Sequence, residues 1–191
     1  MRGPEDAIAA LWAAWVVSWL VAALWAARTQ KRPPLGSEFL YRILTVIGFV
    51  LVFGVGHNGA WTRHVDWEVP SGLGWLLVAA TAAGFAFCWW ARIHLGRLWS
   101  GVVTRKEGHH VVDTGPYALV RHPIYTGIIF AALATAIERG TWLALLGVAV
   151  MSLGWYVKAR LEEKFLRSEL GAAAYDAYAQ RTAMLVPFVR I

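Results

Sequence analysis

Apolar runs as long as a bilayer is thick constrain this chain more than any other feature. Ala7–Ala27 holds no charged residue, and about 20 apolar residues are what a helix needs to cross a membrane. Four more runs follow, at Phe39–Gly56, Gly72–Ile93, Ile124–Ile137 and Thr141–Val157. A soluble core could not bury them all. The 191 residues are 58% apolar and 16% charged, where soluble domains carry roughly 25% charge. Many of the 12 Trp lie near the ends of runs, the depth amphipathic rings prefer. The expected fold is all-α: one polytopic membrane domain over residues 1–191 with five transmembrane helices. Three spans fall in 1–93. A cytoplasmic cofactor-binding loop, a helical hairpin and a C-terminal cytoplasmic helical segment fill 94–191.

The first run reads as a span rather than a cleaved signal peptide. Its basic cluster, Arg28, Lys31 and Arg32, follows the run instead of preceding it. Pro33-Pro34 then breaks the helix. Ile124–Ile137 would reach only about 21 Å at 1.5 Å per residue, short of roughly 30 Å of hydrocarbon. That helix is expected to be partly sheltered by protein. Only Glu138, Arg139 and Gly140 separate it from the next run, so the two form a tight antiparallel hairpin.

Basic residues give the orientation. Arg28–Arg42 holds four Lys or Arg, Arg92–Arg121 five, and Lys158 to the end six. The intervening tail, loop and turn hold one each. The positive-inside rule puts the long third loop and the C-terminal tail in the cytoplasm, and the N-terminus outside. A net charge of +6 scattered in this way reports membrane orientation and headgroup contact, not nucleic-acid binding. Cys88, the single cysteine, permits no disulfide or cysteine zinc site within the chain. It reads as a small hydrophobe, and Gly72, Gly74 and Gly84 read as helix-packing positions.

Beyond Val157 the helical pattern runs on without a breaker. Leu161, Phe165, Leu166 and Leu170 form an apolar face among charges. Gly171 suits a helix end, and a second short helix would hold Tyr175 and Tyr178.

Chemistry concentrates in the third loop and its surroundings: His94, His109, His110, Asp113, Tyr117, Arg121, His122 and Tyr125, punctuated by Gly108, Gly115, Pro116, Pro123 and Gly127. Pro123 suits the first turn of a helix, which would set His122 at that helix's positive end. The histidines lack metal-site spacing, and no metal is expected. His57 and His64 fall in the opposite loop. Alone, Glu162-Glu163 reads as a solvated helix face.

The stretch Gly108–Gly127, G-H-H-V-V-D-T-G-P-Y-A-L-V-R-H-P-I-Y-T-G, resembles the cofactor-binding segment of the isoprenylcysteine carboxyl methyltransferase family, which includes related phospholipid methyltransferases. The family pattern continues with a membrane hairpin, Glu162-Glu163, Gly171 with Tyr175 and Tyr178, and Pro187 near the C-terminus. The likeness runs from about Leu95 to the end. Two positions depart: Leu98-Trp99-Ser100 stands where bacterial members often have Asn-Trp-Ser, and Lys158 where eukaryotic members have Arg.

The resemblance implies S-adenosylmethionine as cofactor. His109, Val112, Gly115, Tyr117, Arg121, His122, Pro123, Tyr125, Gly127, Glu162 and Glu163 would form its site. It implies methyl transfer to a membrane-associated acceptor, most simply the carboxylate of an isoprenylcysteine-like or other lipophilic molecule, at the cytoplasmic face of the cell's inner membrane. Partners would be that substrate and membrane lipids. Arg160, Lys158 and Glu163 are the candidates at the reacting end. Arg160 is expected to position the acceptor, because residues 160 and 163 are three apart on a helix and share a face; the family comparison favours Lys158. A phospholipid amine or small-thiol methyltransferase, a nicotinamide-dependent membrane reductase and a non-catalytic membrane assembly protein are the alternatives.

Overall fold

The computed structural model describes residues 3–26, 28–31, 36–54, 65–101, 105–106 and 111–189. Its helices are α1 Pro4–Ala23, α2 Phe39–Phe53, α3 Ser71–Leu95, α4 Pro116–Leu119, α5 Pro123–Arg139, α6 Trp142–Leu170 and α7 Ala172–Arg181. A short 3-10 turn, Gly96–Leu98, follows α3. Three helices, Pro4–Ala23, Ser71–Leu98 and Trp142–Leu170, are long and apolar enough to cross a membrane. Phe39–Phe53 is apolar but shorter.

The helical class expected from the sequence holds, with one addition. Strand β1, Thr29–Lys31, pairs antiparallel with β2, Arg105–Lys106. Strands of two and three residues are too short to show any period-2 pattern in the sequence.

Helix α1 also stops four residues before Ala27. Its last carbonyls are drawn off by Arg92 of α3. The Arg92 guanidinium donates to Ala22 O at 2.7 Å, Trp25 O at 2.8 Å and Gly96 O at 2.6 Å. It lies between the Trp25 and Trp99 rings, 5.0 and 4.8 Å from their centroids. One buried cation thus caps two helix ends, where cations suit the negative pole of the dipole.

Two close-packed pairs carry the bundle. Helix α2 lies on α6 through Gly48, Gly147 and Gly154; a Cβ on Gly48 would sit 2.5 Å from Met151 Cβ. Helix α3 lies on α5 through Gly84 and Gly127, where a Cβ on Gly84 would sit 2.7 Å from Gly127 O. Small residues that let helix backbones approach are the usual basis of packing in lipid. Of the three glycines expected to pack, Gly84 does so fully and Gly74 rests against Pro4, but Gly72 faces open space. Cys88 is fully buried between α3 and α5, its thiol donating to Ile124 O at 3.3 Å.

An aromatic layer joins α1 to both pairs. Trp12 packs edge-on against Phe49, Phe53 and Phe85, and its indole N–H donates to Thr135 of α5 at 3.0 Å. Ten of the 17 residues of α5 are buried. The helix too short to span alone is sheltered by its neighbours, as its length requires.

The α5–α6 hairpin turns at Gly140, in the left-handed region with φ +65°. A Cβ there would strike Trp67 O at 2.2 Å. Thr141 caps α6, its hydroxyl accepting from Ala144 N at 3.1 Å. As the continuous pattern beyond Val157 requires, α6 runs unbroken for 29 residues to Leu170. Gly171, at φ +98°, ends it, and α7 follows with Tyr175 and Tyr178 on its buried face.

Candidate active site

Pro123 occupies the first turn of α5, and His122 is its cap residue with φ −125° and ψ 63°. The sequence just before α5 is held extended by the chain's own end. Arg121 N donates to Ala183 O at 2.8 Å and His122 N to Met184 O at 3.1 Å. The Thr126 hydroxyl reaches Leu185 O at 2.6 Å. The segment after α7 therefore returns as a strap along the start of α5.

The hairpin then brings the C-terminal half of α6 back to that point. Arg121 donates through Nε to Glu163 Oε1 at 2.6 Å and through Nη2 to Oε2 at 3.3 Å. Its remaining nitrogen, Nη1, donates to Ala179 O at 3.0 Å and also to Thr182 O. His122 Nε2 lies 3.1 Å from Glu163 Oε1. With Glu163 as carboxylate, Nε2 carries the proton and donates it. The Tyr125 hydroxyl donates to Glu162 Oε2 at 2.6 Å. The other Glu162 oxygen makes no hydrogen bond among the described residues. The His122 and Tyr125 rings stack at 5.2 Å with 4° between planes, and Tyr125 stacks on Trp155 at 4.6 Å.

The Arg121 and Glu163 side chains are 6% and 13% exposed. A bidentate pair this buried is secured by added hydrogen bonds, here His122 and two backbone carbonyls. It is the anchor of the site. Glu162, one residue back, is more open at 27% and faces a cavity.

That cavity holds about 780 Å³ of empty space, counting the part open to solvent. Arg121, His122, Tyr125, Glu162, Tyr117 and Tyr175 supply its polar groups, and Leu95, Val112 and Leu166 its apolar wall. Tyr178, also on its wall, donates to Tyr117 O at 2.8 Å and so ties α7 to α4. Burial pushes the phenols of Tyr117, Tyr175 and Tyr178 well above their ordinary range. They stay neutral hydroxyls at physiological pH.

Seven expected positions meet at this cavity: Val112, Tyr117, Arg121, His122, Pro123, Tyr125 and Glu162. Glu163 stands behind, clamped by Arg121 and His122. Gly127 serves the packing of α5 on α3. Gly115 turns the chain into α4 at φ +58°, and a Cβ there would lie 2.8 Å from the His94 ring. His109 lies outside the described residues, as do His110, His57 and His64. The two cations separate. Lys158 is buried, its ammonium donating to Gly101 O at 2.9 Å and lying 5.1 Å from the Tyr125 and Trp155 ring centroids. Arg160 is exposed and does not line the cavity. Residues three apart differ by about 60° around a helix. That is enough for Glu163 to turn inward while Arg160 does not.

Sequence reasoning passed over Trp155, Arg92 and the strap. A tryptophan in an apolar run carries no mark of a site, and the strap acts through backbone carbonyls that any residue supplies. The turn gives a direct test. Gly115→Ala forces a side chain into a left-handed conformation and into the His94 ring. It is expected to cost about 1–3 kcal/mol, read as a lower thermal midpoint in detergent.

The isoprenylcysteine carboxyl methyltransferase (ICMT) family model matches residues 75–168. Protein-S-isoprenylcysteine O-methyltransferase B of Arabidopsis thaliana is 31% identical over 88 residues, covering 46% of this chain and 44% of that protein. Methanethiol S-methyltransferase of a Pseudomonas species is 42% identical over 73 residues, 37% of this chain and 26% of that one. The chain thus spans about half or less of these relatives' lengths. A solved eukaryotic intramembrane Ras methyltransferase, ICMT, superposes with a TM-score of 0.54 at 21% identity, over 83% of this chain and 55% of that one. This likeness extends the common fold beyond the matched segment. The matched segment carries most of α3, the α5–α6 hairpin and the Arg121–Glu163 anchor, and over it this integral membrane chain matches the isoprenylcysteine carboxyl methyltransferase family.

Proposed function

We propose that the chain is an S-adenosylmethionine-dependent methyltransferase acting on a lipophilic acceptor, most simply a carboxylate. The observation that carries this reading is the cavity where His122, Tyr125 and Glu162 converge in front of the Arg121–Glu163 anchor. Its donor set suits the cofactor. The Glu162 oxygen that makes no hydrogen bond among the described residues is an acceptor for an ammonium or ribose hydroxyl, the Tyr117 and Tyr175 rings suit a nearby cation, and Leu95, Val112 and Leu166 offer an apolar wall for a base. When bound, S-adenosylmethionine supplies an electrophilic methyl group on a sulfonium, so the protein need provide no covalent nucleophile.

The protein's task is then alignment and charge balance. Arg121 and Glu163 hold the start of α5 against α6, which fixes His122 and Tyr125. The neutral tyrosines add no charge to the wall. Lys158, one aromatic layer beyond the cavity, is the cation available to an anionic acceptor, and Arg160 is assigned no part in holding it. A carboxylate acceptor is ionised at neutral pH and needs no base. A thiol would have to lose a proton first; the likeness to a methanethiol S-methyltransferase makes it the second reading. Methyl transfer from radiolabelled S-adenosylmethionine to lipophilic carboxylates, thiols and amines tests the proposal. Label in the carboxylate is expected. Label in none of the three sinks it.

The proposed topology has five spans, the N-terminus outside, and the cavity and C-terminus in the cytoplasm. It rests on the alternation of basic residues. Single cysteines at Ser71 and Ser168, in a Cys88→Ala background, are expected to label from opposite sides of the membrane. Labelling from one side contradicts it.

A further inference from the structure

One wall of the cofactor cavity comes from the end of α3 and the turn that follows it. Leu95, Leu98, Trp99 and Ser100 all line the cavity. The chain leaves α3 at Gly96, in the left-handed region with φ +56°. It makes one 3-10 turn and is extended at Trp99, with φ −60° and ψ 143°. Hydrogen-bond geometry in such turns is poor; here Trp99 N reaches Gly96 O at 3.5 Å. The placement of this wall therefore depends on its neighbours.

Arg92, one helical turn before Gly96, is the neighbour that holds it. Its Nη1 donates to Gly96 O at 2.6 Å, while Nη2 donates to Ala22 O and Trp25 O at 2.7 and 2.8 Å. Its guanidinium carbon lies 4.8 Å from the Trp99 ring centroid and 5.0 Å from that of Trp25. Trp99 also rests edge-on against Trp19 of α1, at 5.6 Å. The end of α1 thus holds the cation, and the cation holds both backbone and side chain of the cavity wall. Helix α1 lies outside residues 75–168, the segment matching the family.

The cost of a charge at this place argues against simple space-filling. Arg92 is 0% exposed, and among the described residues no carboxylate pairs with it. A buried cation without a counter-charge is costly, and a methionine would fill the space without that cost. What only arginine offers is a planar fork of donors that reaches carbonyls on two helix ends at once and lies against aromatic rings.

We propose that Arg92 is a positioning residue of the cofactor cavity, setting Trp99 and residues 96–100 from the end of α1. The inference deepens the reading of this cavity as the S-adenosylmethionine site and rests on it. Arg92 does not line the cavity and acts through Trp99 and Gly96. Its loss leaves Arg121, His122, Tyr125 and Glu162 where they are and loosens the wall beside them.

The test uses the full chain in detergent, with Ser100→Cys in a Cys88→Ala background as reporter. The rate at which a maleimide labels that thiol reads how often the wall opens. Calorimetric titration of S-adenosylhomocysteine reads the cavity. Arg92→Met is expected to raise the labelling rate roughly tenfold, about what one lost hydrogen bond to a charged group is worth, and to weaken cofactor binding in step. Arg92→Lys keeps the cation without the fork and is expected to fall between. It carries the test alone if Arg92→Met does not melt cooperatively. Trp12→Phe removes the Trp12–Thr135 bond, about 15 Å along α1 from Ala22. It is expected to lower the thermal midpoint while leaving labelling and affinity unchanged. Labelling unmoved in the Arg92 variants, or raised as much by Trp12→Phe, overturns the inference. Raised labelling in the Arg92 variants, in a chain that binds no S-adenosylhomocysteine even unaltered, removes the methyl-transfer reading and leaves Arg92 as the residue that fixes this wall. Cofactor binding to the unaltered chain with labelling unmoved by either Arg92 variant removes this inference alone.

Discussion

Glu163→Ala is expected to destabilise the protein by about 3–5 kcal/mol, the cost of leaving a buried charge without its partner. The site should be lost with it. Arg121 would keep its bonds to Ala179 O and Thr182 O, so the strap stays tied while α6 comes loose from the start of α5. His122 loses its acceptor in the same step. A thermal melt in detergent reads the stability change, and titration with S-adenosylhomocysteine reads the site. Replacing both partners, as Arg121→Met/Glu163→Leu, should recover much of the stability, because an apolar pair of similar size removes the uncompensated charge. It should not recover cofactor binding. A double variant no more stable than Glu163→Ala would mean that the pair does not act as one unit.

The second large effect concerns Lys158. Lys158→Met keeps the length of the side chain and the packing against Tyr41, Tyr125 and Trp155, and removes only the charge. Turnover of a carboxylate acceptor is expected to fall roughly 10²-fold or more, the scale for losing one preorganised electrostatic group. Affinity for S-adenosylhomocysteine should change little, since Lys158 does not line the cofactor cavity. Arg160→Ala should leave both quantities nearly unchanged, because Arg160 is exposed. A larger loss of turnover from Arg160→Ala than from Lys158→Met would restore the helical-spacing argument.

Those two cations show where the sequence was informative and where it stopped. Spacing put 160 and 163 within about 60° of each other on α6, yet only Glu163 turns inward. It could not say which of the two would point inward, because the answer depends on α2 packing against α6 through Gly48, Gly147 and Gly154. The Arg-His-Pro-x-Tyr stretch and Glu162-Glu163 were legible as one site because only three residues separate the hairpin's apolar runs, which forces the two motifs together. Pro123 and Gly171 marked helix ends through their own backbone chemistry, and both lie where that chemistry requires. Arg92 was counted as one more basic residue of the third loop. Its work of closing α1 and α3 is done on backbone carbonyls, which carry no sequence signature.

The central claim is that the start of α5 and the C-terminal half of α6 together form a cofactor site. Calorimetric titration of S-adenosylhomocysteine into the unaltered chain and into His122→Ala tests it most directly. Saturable binding to the former is expected. Binding weaker by roughly 1–3 kcal/mol is expected in the latter, where Glu163 loses a buried donor. Equal affinity in a folded His122→Ala variant, or no binding to the unaltered chain, would contradict it.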